Sequence, residues 1–220
     1  GRRYGGRAFT GNFHHELTRR VSIEAGHYDA IDSFGRSITR QLASLPTSFD
    51  TDRNPFTGDF GGCVFGGRPG TGGCFSNALQ GVTTANFRSR GAFAVMSGRT
   101  GPWTFGVGAD YISHKFLAPQ TTTTLFNIGG VDDRTFALES DVSRSLSSNS
   151  SMTGAVRASW YKSGIDNAPR VRELGISGTY RRGFTQHLFG YGSLGLYNDK
   201  ITGSGSNSHV YASLGLRYQL

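Results

Sequence analysis

The last twelve residues, HVYASLGLRYQL (His209–Leu220), alternate between apolar and polar side chains to the end of the chain. Successive side chains of an extended strand point to opposite sides. One face therefore carries Val210, Ala212, Leu214, Leu216, Tyr218 and Leu220, and the other carries Tyr211, Ser213, Gly215, Arg217 and Gln219. An apolar face backed by a polar one is typical of a β-barrel strand whose apolar side meets lipid.

The composition favours the same architecture. The 220 residues include 33 glycines and 12% aromatic residues, yet only 36% are hydrophobic. A membrane barrel needs one apolar face per strand, whereas a soluble β-sandwich needs a larger aliphatic core. No stretch approaches the roughly 20 apolar residues of a membrane helix, so any membrane-spanning element must be a strand.

Alternation and turn signals predict an all-β fold, an antiparallel transmembrane β-barrel with about nine strands in this chain. The strands are predicted near residues 4–17, 21–31, 87–98, 103–111, 136–142, 152–160, 174–180, 188–201 and 209–220. Residues 33–86 lose the alternation and are too long for an ordinary connection. Within them, the pattern of residues 37–45 allows one short helix.

The connections alternate in length, and this alternation orients the barrel. They are short near residues 19, 101, 149 and 185, and longer or richer in loop residues at 33–86, 119–133, 165–170 and 203–208. Outer-membrane barrels have short periplasmic turns and long extracellular loops. The last strand then ends in the periplasm and the first begins outside the cell. Because single-chain bacterial barrels have even strand numbers, at least one more strand is expected before Gly1 or from another chain.

Two sets of side chains follow from this arrangement, taking residues 1–220 as the C-terminal portion of a barrel and 33–86 as a long extracellular loop. The polar residues predicted to face the lumen are His14, Glu16, Arg88, Arg90, Asp110, Glu139, Asp141, Arg157 and Arg217. The aromatic residues predicted at the membrane interfaces are Trp103, Tyr111, Trp160, Tyr180 and Tyr218.

A catalytic histidine with a carboxylate partner can be imagined among the lumen residues. Arginine–carboxylate pairs that fill the lumen explain them better, because no Ser/His/Asp or metal-ligand spacing stands out. We therefore expect no enzyme, no metal site and no cofactor.

The cysteines and the charge point to an exported protein. Cys63 and Cys74 are the only two cysteines, both flanked by glycines, and we expect them to form a disulfide in an oxidising compartment. The net charge of +8 is spread along the chain without a basic block, which argues against nucleic-acid binding. Arginines that face the lumen or lipopolysaccharide phosphates explain the same balance.

The opening of the chain carries a family resemblance. Its residues are the run Gly1–Gly6 (GRRYGG), His14 or His15, the Arg19–Arg20 turn and the segment Asp52–Gly58 (DRNPFTG). The chain resembles, over most of its length, the C-terminal half of the outer-membrane β-barrel family associated with the PEP-CTERM and exosortase system. The Cys63–Cys74 loop, the run Gly26–Asp29 and the non-aromatic terminal Leu220 depart from the pattern of that family.

The resemblance implies a Gram-negative outer-membrane location and a link to exopolysaccharide production and export. The first hypothesis is a porin-like pore or a structural component of such export. The alternative is a surface barrel whose loops hold another envelope protein in an assembly, and the third is an outer-membrane protease or lipid-modifying enzyme. The expected partners are outer-membrane lipid, lipopolysaccharide, and a surface polysaccharide or envelope protein. The long loop either folds into the pore, binds a surface polymer, contacts a neighbour or is only protective.

Overall fold

A computed structural model describes residues 9–33, 62–64, 73–75, 86–117 and 131–218. Nine strands form one antiparallel sheet in the order β1-β2-β5-β6-β7-β8-β9-β10-β11, and two short strands pair separately. Their bounds are β1 Phe9–Thr18, β2 Val21–Ser33, β3 Gly62–Val64, β4 Gly73–Phe75, β5 Asn86–Thr100, β6 Trp103–Phe116, β7 Asp132–Ser147, β8 Ser150–Lys162, β9 Arg170–Gly183, β10 Leu188–Ile201 and β11 Gly205–Tyr218. The prediction of nine antiparallel strands in an all-β fold is confirmed for the main sheet.

The register divides the side chains of the sheet between two faces. Val107 of β6 lies opposite Met96 of β5 and Ser140 of β7, and the same face continues through Val156 of β8 to Ile176 of β9. This outer face exposes large apolar side chains, for example 49% of Val107 and 53% of Ile176. The opposite, inner face carries most of the acidic residues of the strands and every buried strand residue. A sheet that exposes its apolar face is the arrangement of a lipid-facing barrel wall.

The connections alternate at the two ends of the sheet, as the sequence predicts. One end has the tight turns at residues 19–20, 101–102 and 148–149 and a slightly longer one at 184–187. Gly101 has a φ of 56°, a left-handed conformation that glycine adopts without the steric cost of a Cβ. The other end has the connections at 34–85, 117–131 and 163–169. The prediction of a loop at residues 203–208 is wrong in its bounds. Strand β11 begins at Gly205, so this hairpin turns over residues 202–204.

A short hairpin, β3–β4, lies within the stretch predicted to lack strands. Gly62, Cys63 and Val64 pair with Phe75, Cys74 and Gly73, which places the two cysteines directly opposite each other. The Cα atoms of β3 come within 8 Å of β6 and β7, and those of β4 within 8 Å of β2, β5 and β6. The helix considered at residues 37–45 and the first residues of the predicted opening strand lie outside the described residues. In the described ranges, no helix has the length and hydropathy needed to cross a membrane.

Candidate functional site on the inner face

Seven of the nine polar residues predicted to face the lumen share the inner face. They are His14 and Glu16 on β1, Asp110 on β6, Glu139 and Asp141 on β7, Arg157 on β8 and Arg217 on β11. Side chains alternate between the two faces along each strand, and directly paired residues of neighbouring strands point to the same face, so the register places all seven on one side. The inner face is therefore lined with carboxylates, imidazole and guanidinium groups.

The densest group of charges lies at the centre of the inner face, on β6, β7 and β8. Glu139 is directly opposite Arg157, and Asp110 and Asp141 occupy nearby positions on the same face. Within the described part of the chain, Asp110 Oδ2, Asp141 Oδ1 and Arg157 Nε are buried and make no hydrogen bond. Buried polar atoms in proteins nearly always bond to protein or water. Three groups of this charged cluster therefore keep a hydrogen-bonding capacity that the described residues do not satisfy.

A histidine and a carboxylate meet at the first strands of the sheet. His14 Nδ1 lies 3.5 Å from Glu24 Oε1, whose side chain is 11% exposed. The neighbouring inner-face hydroxyls of Ser22 and Ser97 are 3.4 Å apart. Sequence reasoning placed His14 with Glu16, whereas the register brings it to Glu24 on the next strand. Among the described residues, no group of three or more His, Cys, Asp or Glu side chains could hold a metal ion.

The β3–β4 hairpin approaches β5, β6 and β7, and the burial of their inner faces indicates the side on which it lies. Strands β5 and β6 bury their inner-face residues Phe87, Val95, Ile112 and His114 to 5% exposure or less, while large outer-face side chains such as Val107 stay exposed. Because the hairpin approaches these same strands, we infer that it covers their inner faces. Phe87 contacts the His114 ring edge-on, with centroids 4.9 Å apart. Further along the sheet the inner face is more open, and Tyr191 of β10 is 42% exposed.

Arg88 and Arg90 are on the outer face, which corrects their predicted inward orientation. Arg90 lies opposite Asp29 of β2 and Ser113 of β6, in step with Met96 and Val107. The prediction failed because Phe87, Phe93 and Val95 are apolar and share one face of β5. That face is turned inward, where Phe87 and Val95 are buried. The lipid-facing positions of β5 are therefore the alternate residues, which include Arg88 and Arg90. Arg88 and Arg90 both bond to Asp29.

Glycines face aromatic rings across neighbouring strands at several inner-face positions, which the sequence alone did not reveal. The tyrosines Tyr197, Tyr211 and Tyr191 lie directly opposite Gly175, Gly195 and Gly215. A Cβ built on Gly175 would come within 2.5 Å of Tyr197 Cε1, so the ring occupies that space. Tyr197 and Tyr211 stack on each other with centroids 5.7 Å apart. In the sequence, the tyrosine row is indicated by inner-face glycines on three successive strands, each opposite a tyrosine of the neighbouring strand.

The predicted interfacial aromatics all lie on the outer face. Trp103, Tyr180 and Tyr218 lie toward the end with the short turns, and Tyr111 and Trp160 toward the end with the long connections. Phe136 stands between Tyr111 and Trp160 on β7, and its ring centroid is 5.6 Å from that of Trp160. Two aromatic bands bounding an apolar one are typical of strands that cross both interfaces of a membrane.

Comparison with known proteins supports the fold and no narrower assignment. Neither a protein-family model nor a curated protein matches the sequence, so the family resemblance to the PEP-CTERM-associated barrels gains no support. Among solved structures, the chain is similar to in-vitro folded OmpT, an outer membrane protein of Vibrio cholerae, with a TM-score of 0.54 and 8% identity. The alignment covers 96% of this chain and 55% of that chain, so this chain spans about half its length.

A loop L8 deletion mutant of the same Vibrio cholerae protein aligns with a TM-score of 0.47 and 10% identity, over 95% of this chain and 62% of that one. At such low identity the similarity to OmpT is one of fold. The fold is that of an outer-membrane β-barrel protein, as the alternating strands predict.

Proposed function

We propose that this chain forms part of the wall of a pore in a bacterial outer membrane, and that the β3–β4 hairpin narrows the pore. The observation that carries the proposal is the approach of the hairpin to β5, β6 and β7, which bury inner-face residues on β5 and β6 and Ala137 on β7, while large apolar side chains of their outer faces are exposed. A hairpin held against the inside of a barrel wall reduces the cross-section available to solutes.

The membrane location is supported by the outer face. Its apolar side chains are exposed between two aromatic bands, and an exposed apolar surface of this extent belongs in contact with lipid rather than water. The fold shared with an outer-membrane protein supports the same location.

The inner face supports a polar solute and, more narrowly, a saccharide. The charged groups of Asp110, Glu139, Asp141 and Arg157 make the centre of the wall polar. The tyrosine row of Tyr191, Tyr197 and Tyr211 adds aromatic surface and hydroxyl groups on the same face. Aromatic rings with a polar tip suit ligands that present both apolar and hydroxyl surfaces, as sugar rings do. We therefore propose a saccharide as the solute; its origin in exopolysaccharide export rests on the family resemblance alone.

Channel recording tests the pore. The full-length protein, folded in detergent and added to a planar lipid bilayer, is expected to give stepwise ionic conductance. Its folded state is checked first by resistance to unfolding in SDS at room temperature. A fully folded sample that inserts into the bilayer and never conducts would overturn the proposal.

Saccharide binding is tested with maltohexaose as the probe. We expect added maltohexaose to interrupt the ionic current of the wild-type channel, and Tyr191→Ser to shorten or abolish these interruptions. Tyr191→Phe keeps the ring and is the matched control, in which the interruptions should persist. If conductance is normal and maltohexaose has no effect on any of the three proteins, the pore stands and the saccharide assignment fails.

A further inference from the structure

The outer face carries basic side chains at the ends of six neighbouring strands, all at the end of the sheet with the long connections. They are Arg88 and Arg90 on β5, Lys115 on β6, Arg134 on β7, Lys162 on β8, Arg170 and Arg172 on β9 and Lys200 on β10, and together they are called the basic belt. Register shows that they share the face of the exposed apolar residues, because Lys162 pairs with Arg134 and Arg170 while Trp160 pairs with Phe136 and Arg172.

The basic belt begins where the apolar surface ends. On β7, Arg134 follows Phe136 as the next outer-face position, and on β8 Lys162 follows Trp160. On β9 the outer-face position beyond Leu174 is Arg172. Aromatic side chains occupy the level of lipid headgroups in membrane barrels. The basic belt is level with the aromatic residues at Arg172 and Lys200 and lies one or two positions further out on the other strands, within reach of headgroup phosphates.

Acidic residues neutralise only part of the basic belt. Asp29 accepts two hydrogen bonds from Arg88, at 2.6 and 2.7 Å, and one from Arg90 at 3.1 Å. Asp132 accepts two from Arg134, at 2.8 and 3.1 Å. In the described ranges, no acidic side chain forms an ion pair with Lys162, Arg170, Arg172 or Lys200. The centre of the basic belt on β8 and β9 thus keeps its positive charge.

Like charges face each other at this centre. Lys162 lies directly between Arg134 and Arg170, and Arg172 lies directly opposite Lys200. Directly opposed like charges destabilise a sheet. An anion bound between the side chains would remove this repulsion, and guanidinium groups bind phosphate oxygens in a fitting planar geometry.

We infer that the basic belt binds the phosphate groups of an anionic lipid in the outer leaflet, with Lys162, Arg170 and Arg172 at the centre of the site. The inference rests on the proposed membrane location and adds a lipid ligand to it. Charge complementarity and the position just beyond the aromatic band favour a lipid phosphate over a protein partner. The acyl chains of such a lipid would lie against the exposed apolar surface below, on residues such as Leu174 and Val156.

The test uses the full-length protein and diphosphorylated lipid A as the probe, titrated in detergent and followed by native mass spectrometry. The variant Lys162→Gln/Arg170→Gln/Arg172→Gln removes three positive charges and is expected to bind lipid A roughly 100-fold more weakly. The matched control is Arg144→Gln/Arg182→Gln, at the opposite end of the same face. These arginines lie 5.0 Å from the ring centroid of Trp103 and 6.0 Å from that of Phe184, and their loss should leave lipid A affinity unchanged.

Two further arms keep the outcomes distinct. Lipid A lacking both phosphates should bind wild type no better than diphosphorylated lipid A binds the triple variant. Millimolar inorganic phosphate should not displace lipid A, and displacement would instead indicate a site for soluble phosphate. Equal affinity of the wild type and the triple variant for diphosphorylated lipid A would overturn the inference.

Folding and pore formation are measured separately on the same samples. The triple variant should keep its resistance to SDS and its conductance, because the basic belt lies outside the inner face. The charge-preserving variant Lys162→Arg/Arg170→Lys/Arg172→Lys should retain most of the affinity if the triple glutamine variant proves difficult to fold. Loss of binding in this variant as well would contradict a site based on charge. A failure of the pore proposal would appear as absent conductance with lipid A binding intact.

Discussion

At the scale of single residues, the inner face is shaped by glycines that lie beneath aromatic rings. Gly26 is opposite Phe93, Gly91 opposite Tyr28 and Gly195 opposite Tyr211, and in each pair the ring fills the space that a Cβ would take. Glycine in a strand costs conformational entropy and packs no side chain. The covering ring offsets this cost by shielding the backbone of the glycine. The inner face therefore depends on pairs of residues rather than on single glycines.

Gly195→Ala is expected to destabilise the folded protein by about 1–3 kcal/mol, because the new methyl group overlaps the Tyr211 ring and forces it aside. Reversible unfolding in urea, in lipid vesicles, measures the change. Gly154→Ala is the matched control: its Cβ would meet only Ser177 O at 3.9 Å. Since alanine has the lower entropic cost, this control should be neutral or more stable by about 0.5–1 kcal/mol. Adding Tyr211→Ser should remove most of the penalty of Gly195→Ala, and full additivity of the two changes would refute the pairing.

Asp29 is the acidic centre of a second residue-scale contact, with Arg88 and Arg90 on the neighbouring strand. Its side chain is 14% exposed and that of Arg88 is 27% exposed. Asp29→Asn removes the charge that both guanidinium groups bind, and we expect a loss of about 1–3 kcal/mol in unfolding free energy. The same vesicle assay at 50 mM and 500 mM salt provides the measurement. A much smaller effect for Asp132→Asn, whose partner Arg134 is 56% exposed, serves as the comparison.

At the scale of elements, the proposed narrowing of the pore depends on the β3–β4 hairpin. It approaches four strands of the main sheet, two of which bury their inner faces, although it belongs to a stretch without a strand-like sequence pattern. The opposition of Cys63 and Cys74 across the hairpin suits a disulfide, because directly paired residues of antiparallel strands have Cα atoms about 4.5–5.5 Å apart and disulfides span about 4.4–6.8 Å. The disulfide remains a prediction.

Removal of the hairpin is expected to enlarge the channel. Replacing residues 61–76 by a short Gly-Ser linker should raise single-channel conductance and admit larger uncharged polymers, measured by polymer exclusion. A matched replacement of residues 163–168, in the β8–β9 connection, should leave conductance close to wild type. An unchanged exclusion limit after loss of the hairpin would show that it does not narrow the pore.

The state of the two cysteines is tested on the unreduced protein. Cys63 and Cys74 are the only cysteines, so thiol labelling under denaturing conditions reports on them alone. We expect no label without reductant and two labels after reduction. Labelling of both thiols before reduction would exclude the disulfide.

At the scale of the whole molecule, two aromatic bands set the thickness of the apolar surface. Trp103 and Tyr111 lie on one face of β6, eight residues apart, or about 26 Å along the strand. With the tilt of about 35–45° usual in barrels, this separation becomes about 20 Å along the membrane normal, close to the apolar band of about 25 Å in outer-membrane barrels. The sheet is thus matched to one membrane thickness.

The sequence contains two tryptophans, Trp103 and Trp160, which lie toward opposite ends of the outer face. In single-tryptophan proteins made by Trp160→Phe or Trp103→Phe, fluorescence should be quenched most by lipids brominated near the headgroup and least by lipids brominated near the chain end. Both residues should give this profile, because each belongs to an interfacial band. If lipids brominated at the bilayer centre quenched either tryptophan most strongly, the interfacial position of that tryptophan would be contradicted.

Local sequence patterns predict the strands and most of their faces, whereas contacts between residues distant in the chain establish what covers the inner face. Alternation with period two is a local property, so β6 to β11 show their apolar side in the sequence, and tight turns show in the short connections. The faces of Arg88 and Arg90, the pairing of His14 with Glu24, the glycine–aromatic pairs and the place of the β3–β4 hairpin depend on register between strands and on contacts of residues distant in sequence. On β5 these contacts bury apolar residues on the inner side, whereas the alternation pattern alone predicts that these residues face lipid. The terminal strand that signals a membrane wall could not reveal which residues line the space behind it.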